Sequence, residues 1–394
     1  MQAALDCYRA GDWVTSERRC RQILTTQAGH FDALNLLAVI CAQTGRAPEA
    51  ATWMARAVAL RPHDPVALNN YANMLRDLGR IDDALGCYEL ALQLVPDYAD
   101  ALFNRALLFH GLARLDEALQ SYQSVIRHHP GHPAAWEGLG DLYVARGQLD
   151  PAVDCYQRAV RLSPTGRSWH KLGGALHALA RHPEAVAAYD RSLAIEPLAQ
   201  AFNGRGSALY ALRQLDPAIE DYRRATALRP DYPDAHNNLG TLLHELHHFQ
   251  LALASFRKAV ELRPQFVEAM YGCGLCLRDL GRTEEALAQF EAAMRLNAKL
   301  PWLAGAWLSV CRQACAWTRS ESQLAALLEE VRGGARILSP FVALGVSAAA
   351  DLQRQAATLW TTAQEASPVP VDASAAGAAG IVATRAGTPL RDAG

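Results

Sequence analysis

The chain has 394 residues, 51% of them hydrophobic and 20% charged, with 38 Lys and Arg against 40 Asp and Glu for a formal net charge of −2. That near-neutral mixture gives no basic footprint for nucleic acid or an anionic membrane. No apolar run approaches the ~18 residues that would span a bilayer. Asp6, Arg9 and Asp12 interrupt the N-terminus early, so no secretory leader is read there. The nine cysteines are odd in number and scattered through positions such as Cys20 and Cys273. They read as small buried hydrophobes in a reducing compartment rather than as a disulfide framework, and the expected location is cytoplasmic.

Taken in chain order, residues 1–30 read as a truncated unit: a first helix cut short, a break at Gly11, and a second helix through Cys20 and Ile23. From Phe31 to Ala298 a fuller unit recurs eight times at 33 or 34 residues. In its clearest copy, Trp136, Leu139, Gly140 and Tyr143 fall at steps of three and four and so share one helix face. Gly147 breaks that helix, Ala152, Tyr156 and Ala159 line the next, and Pro164 ends it, because proline cannot continue a helix. A small residue stands at the middle of every first helix: Ala38, Ala72, Ala106, Gly140, Gly173, Gly206, Gly240 and Gly274. A large one on the second helix is expected to fill the space: Met54, Tyr88, Tyr122, Tyr156, Tyr189, Tyr222, Phe256 and Phe290. The last copy has Ala298 where its siblings have proline, so its second helix is expected to run on.

This is the tetratricopeptide-repeat pattern. The resemblance implies an all-α, right-handed superhelical solenoid over residues 1–298, made of one partial and eight full repeats. Each repeat touches mainly its neighbours, and the first helices line a concave groove. Helical patterning continues without the period through 299–366, at Leu303–Ala316, Glu321–Val331 and Ala349–Glu365, a linker or cap segment. Residues 367–394 hold twelve Ala or Gly and three prolines, too little apolar surface to offset the entropy of ordering them. They read as a disordered low-complexity tail.

The phrases NNYANMLRDLGRIDDAL and NNLGTLLHEL, followed by LPWLAGAWLSVCRQACAW, Ser339–Phe341 and DLQRQAATLW, resemble the repeat arm and linker of protein O-GlcNAc transferases. Cys315-Ala316-Trp317 stands where that family has Cys-Asp-Trp. The resemblance covers residues 1 to about 366. The family's sugar transfer is performed by two lobes beyond the linker, where this sequence has its low-complexity stretch, so no catalytic residue and no cofactor is carried over. Two functions remain open: an interaction protein holding an extended peptide or protein partner, and a glycosyltransferase represented by its substrate-recruiting arm. The resemblance also implies an asparagine ladder along the groove. Asn70, Asn104 and Asn238 occupy the ladder position, while Leu36, Gly138, Lys171, Gly204 and Gly272 stand there in other repeats. Asn70, Asn104 and Asn238 are read as bonding partner backbone, with Asp141, Lys171 and Arg205 tuning charge.

Two motifs are set aside. His244-Glu245-Leu246-His247-His248 has the H-E-x-x-H spacing of zinc peptidases, but His248 falls in the turn after the first helix, so no metal is expected. Cys273 and Cys276 have no second cysteine pair at zinc-ribbon spacing, and Cys273 takes a core position. No phosphate-binding glycine loop follows a strand, because no strand is predicted.

Overall fold

The computed structural model describes residues 1–297 and 302–314, with Gln355 and Thr358 as single residues. The described residues are all-α. They divide into two compact units at Ser163/Pro164. The first carries five helix pairs: α1 (Gln2–Arg9) with α2 (Trp13–Thr26), α3 (Phe31–Gln43) with α4 (Ala47–Leu60), α5 (Pro65–Asp77) with α6 (Ile81–Leu94), α7 (Ala99–Gly111) with α8 (Leu115–His128), and α9 (Pro133–Ala145) with α10 (Leu149–Leu162). The second carries α11 (Gly166–Ala178) with α12 (His182–Ile195), α13 (Ala199–Ala211) with α14 (Leu215–Leu228), α15 (Pro233–Glu245) with α16 (Phe249–Leu262), α17 (Val267–Asp279) with α18 (Thr283–Leu296), and a last helix α19 (Leu303–Gln313). Within each unit a helix packs on its partner and on the next pair, the one-dimensional logic of stacked repeats. The truncated first helix is α1, eight residues against thirteen in α3.

Every first helix ends in the same way. The residue after its C-cap turns into the left-handed region, and the next backbone N–H reaches back five residues, as in Arg80 to Leu75 at 2.9 Å, which satisfies a carbonyl left over at the helix end. Glycine supplies the positive φ at Gly11, Gly45, Gly79, Gly147 and Gly281; Ala113, Ala180, Arg213 and His247 adopt it at φ 56–61° without that freedom.

The expected packing of small against large residues is present in detail. A Cβ built on Gly140 would lie 2.6 Å from the Tyr156 ring, and one on Gly274 would lie 2.4 Å from the Phe290 ring. Gly173, Gly206 and Gly240 face Tyr189, Tyr222 and Phe256 in the same way. The ring also reaches the following repeat: Gly138 abuts Tyr122, Gly204 abuts Tyr189, and Gly272 abuts Phe256. Tyr189 and Phe256 therefore each key two successive first helices.

One expectation fails. α18 does not run on: it ends at Leu296, and Asn297 takes an extended conformation (φ −151°, ψ 92°). Val95, which precedes Pro96, caps α6 with nearly the same backbone (φ −136°, ψ 91°). The stop thus lies at the residue before the proline position, where asparagine leaves the helix as readily as a pre-proline residue does. α19 then packs against α18, with Trp307 buried and its indole N–H donating to Glu291. Of the segment expected to be helical over 299–366, α19 is the described part. Apart from Gln355 and Thr358, the linker from Cys315 onward and the tail 367–394 lie outside the described residues.

Candidate peptide-binding face

The chain has nine asparagines, and eight of them stand on first helices: Asn35, Asn69, Asn70, Asn73, Asn104, Asn203, Asn237 and Asn238. Counted from the small mid-helix residue, they sit three before it, two before it, or one after it. At about 100° per residue those three places fall at roughly 0°, 100° and 40° around the helix, so they lie on one broad side of it. Asparagine is a poor helix former because its amide competes for backbone hydrogen bonds. Eight of them in mid-helix on one face therefore run against local preference.

Of the six residues read from sequence, three lie in the first unit and three in the second. Asn70 on α5 is half-buried, and its amide makes no hydrogen bond among the described residues. Asn104 and Asn238 are engaged with their own neighbours. Asn104 Nδ2 donates to Asn69 Oδ1 at 3.0 Å, and Asn238 Nδ2 donates to Asn203 Oδ1 at 3.0 Å. Each pair bridges successive first helices, so part of the ladder holds the repeats together. Asp141 accepts the hydroxyl of Tyr156 at 2.6 Å. Lys171 is half-buried on α11. Arg205 is closed off: Asp221 takes it by two bonds of 2.7 Å and Asp190 takes a third. Its charge is paired inside the second unit.

The residues that sequence reasoning passed over are those one place earlier. Asn35 and Asn237 are 8% and 7% exposed, and each keeps an Oδ1 with no partner among the described residues. The doublets Asn69-Asn70 and Asn237-Asn238 signalled this second row. The place after the small residue serves the core tyrosines: Asn73 accepts from Tyr88, Asp141 from Tyr156, and Ser207 bonds Tyr222. In the third full repeat that place is Leu107, and the buried Tyr122 hydroxyl accordingly has no partner among the described residues.

The two motifs set aside in the sequence have these surroundings. α15 ends at Glu245, His247 is left-handed, and His248 caps α16, while His244 Nε2 lies 2.8 Å from Asp279. Burial pushes the Cys273 and Cys276 thiols up to about 12, as suits core residues. Glu17, Cys41 and Glu49 place ligand atoms within 4.8 Å of one another. Arg46 bonds both carboxylates and Arg21 bonds Glu49, so this is an ion-pair cluster.

Comparison with known families agrees with this architecture. A family model described as tetratricopeptide repeat matches residues 1–65, 111–167, 138–200 and 237–301. The chain belongs to the tetratricopeptide-repeat family. A second model, described as TPR repeat, matches 72–112 and 206–246. No curated protein matches the chain in sequence. Among solved structures, the tetratricopeptide-repeat chain is similar to one in the APC/C hetero-tetramer Cut9–Hcn1, with a TM-score of 0.52 and 15% identity over 75% of this chain and 59% of that one. It thus spans under two thirds of that chain's length. A tetratricopeptide repeat protein from Parabacteroides merdae aligns with 17% identity over 63% of this chain and 98% of that one, at a TM-score of 0.48. MamA aligns with 24% identity over 41% of this chain and 95% of that one, at a TM-score of 0.38. At such identities the likeness concerns the fold alone. No helix among the described residues is long and apolar enough to cross a membrane.

Proposed function

We propose that this tetratricopeptide-repeat chain is a protein-interaction scaffold whose first-helix asparagines hold the main chain of an extended partner peptide. The observation that carries the reading is the concentration of eight of nine asparagines on one face of the first helices, against helix propensity. A primary amide offers one acceptor oxygen and two donor hydrogens, which matches the alternating C=O and N–H of a peptide backbone without selecting a side chain. Asn70 is the residue best placed for this, since its amide is uncommitted. The experiment is selection of peptides from a random library on the full chain, followed by affinity measurement with Asn70→Ala. A fivefold or greater loss supports the reading. Unchanged affinity removes Asn70 from the face. Asn104 and Asn238 are poor first variants, because their loss also severs bonds to Asn69 and Asn203.

The narrower reading, a recruiting arm of protein O-GlcNAc transferase, is supported by the repeat and linker phrases of the sequence. Its test is transfer of labelled GlcNAc from UDP-GlcNAc to a cell extract by the full chain, for which we expect no incorporation. Such transfer needs groups that stabilise the charge on the departing diphosphate, and the first-helix amides are not such a set.

A further inference from the structure

Two arginines interrupt the apolar position just before the small residue of the first helix, Arg105 before Ala106 and Arg205 before Gly206; the siblings there include Leu139, Leu172 and Leu239. Their surroundings differ at two positions. In the second unit Arg205 is clamped by Asp221, three residues after Ala218, and by Asp190, five residues after Ala185. In the first unit the residue three after Ala118 is Ser121, and the residue five after Ala84 is Glu89, which is exposed and forms no ion pair with Arg105 among the described residues.

Arg105 is half-buried, and its Nε is out of solvent with no hydrogen-bond partner among the described residues. Beside it opens a cavity of about 460 Å³, lined by Arg105, Gln120, Ser121, Ser124 and Arg127 among others. Glu117, the acid of the lining, is engaged by Arg114 at 2.8 Å. The two arginines also respond oppositely to their sites: bonds from Asp221 push Arg205 above its ordinary value, whereas burial pushes Arg105 below it. A guanidinium does not lose its proton at any ordinary pH; Glu89 acts on Arg105 through its charge without bonding it, so the buried Nε–H still favours an incoming anion.

We propose that the cavity between α7 and α8 is a carboxylate-binding slot, in which a carboxylate from outside the chain takes the place beside Arg105 that Asp221 takes beside Arg205. The planar fork of a guanidinium fits a carboxylate by two parallel bonds, which is the geometry Arg205 already displays. The buried Ser121 and the half-buried Ser124 line it with hydroxyls, and Arg127 adds a second positive charge. The slot lies between the two helices of one repeat, apart from the asparagine face, and does not depend on the peptide reading.

The experiment follows the arginine Nε–H signal of the full chain by NMR, assigned through its loss in Arg105→Leu, while acetate or the peptide Ac-Ala-Glu-Ala-NH₂ is added. Sodium chloride at equal ionic strength and the Gln peptide serve as controls. The expected result is a saturable displacement by acetate and by the Glu peptide, and none by the controls. Binding of the peptide at least tenfold tighter than acetate identifies a partner's acidic side chain as the source. Equal binding identifies a small carboxylate. In Ser121→Asp the internal carboxylate should occupy the slot and abolish the response. Displacement by chloride alone, or an acetate response that persists in Ser121→Asp, overturns the proposal. Arg105→Leu copies the leucine of sibling repeats, and loss of acetate binding in that folded variant, read by calorimetry, is expected even where Ser121→Asp fails to fold.

Discussion

Replacing Gly274 by alanine separates the packing account from simple helix propensity. The added Cβ would lie 2.4, 2.6 and 2.8 Å from three atoms of the Phe290 ring, all inside the closest approach that real Cβ atoms make. Phe290 is fully buried, so the ring has no solvent-side space to move into. Overpacking of a dense core costs about 1–3 kcal/mol, and three such contacts place this site near ~3 kcal/mol. Alanine returns about 1 kcal/mol of helix propensity over glycine, which leaves a net destabilisation of about 2 kcal/mol. Gly86, on α6, is the control, since a Cβ there meets nothing within 4 Å. Gly86→Ala should therefore stabilise by about 1 kcal/mol, a contrast of about 3 kcal/mol between two identical substitutions. Hydrogen exchange resolved to α17, α18 and α6 is the suitable assay, because repeat arrays open locally and a single global midpoint averages over them. Faster exchange in α17 and α18 is expected for Gly274→Ala, with rescue by Phe290→Leu. Equal stabilisation by both alanines would refute the close-packing argument.

Three further outcomes follow from particular residues. Ala113→Gly and Ala180→Gly should each raise stability by about 1 kcal/mol in denaturant titrations, because both positions hold φ 56° where an L side chain is strained. Tyr122→Phe should stabilise by about 1 kcal/mol by removing an unpartnered buried hydroxyl, whereas Tyr156→Phe should cost about 1 kcal/mol through the lost bond to Asp141. Burial, with the neighbouring His182, lowers His177 from 6.5 to about 4, and the two Nδ1 atoms lie 3.1 Å apart. A depressed histidine favours the neutral fold, so its contribution is intact above pH 6.5 and is lost as pH falls from 6.5 toward 4, by up to about 3 kcal/mol. His177→Leu should flatten that part of the stability profile.

The period, the helix pairing and the small-against-large key were legible in the sequence because each is a local pattern repeated in register: Gly140 with Tyr156 is read again as Gly240 with Phe256. The turn residues were half legible. Gly147 announces its conformation, but His247 and Arg213 adopt it only because the two flanking helices are already fixed by packing. The candidate face was less legible, since a side chain's role depends on which neighbour reaches it first. Arg205 reads as an exposed charge until α12 and α14 bring Asp190 and Asp221 to it, and Asn104 reads as a free amide until Asn69 is found 3.0 Å away on the preceding first helix. The end of α18 was misjudged because proline was credited with a stop that the residue before it already makes.

The central claim is that the first-helix amides read peptide main chain, and replacing the ligand's own backbone tests it most directly. A peptide selected on the full chain is resynthesised with each amide in turn replaced by an ester, which removes one N–H donor and leaves every side chain in place. The account predicts at least a tenfold loss of affinity at two or more positions, with the loss at one of them abolished in Asn70→Ala. Affinity unchanged by every ester replacement would contradict it.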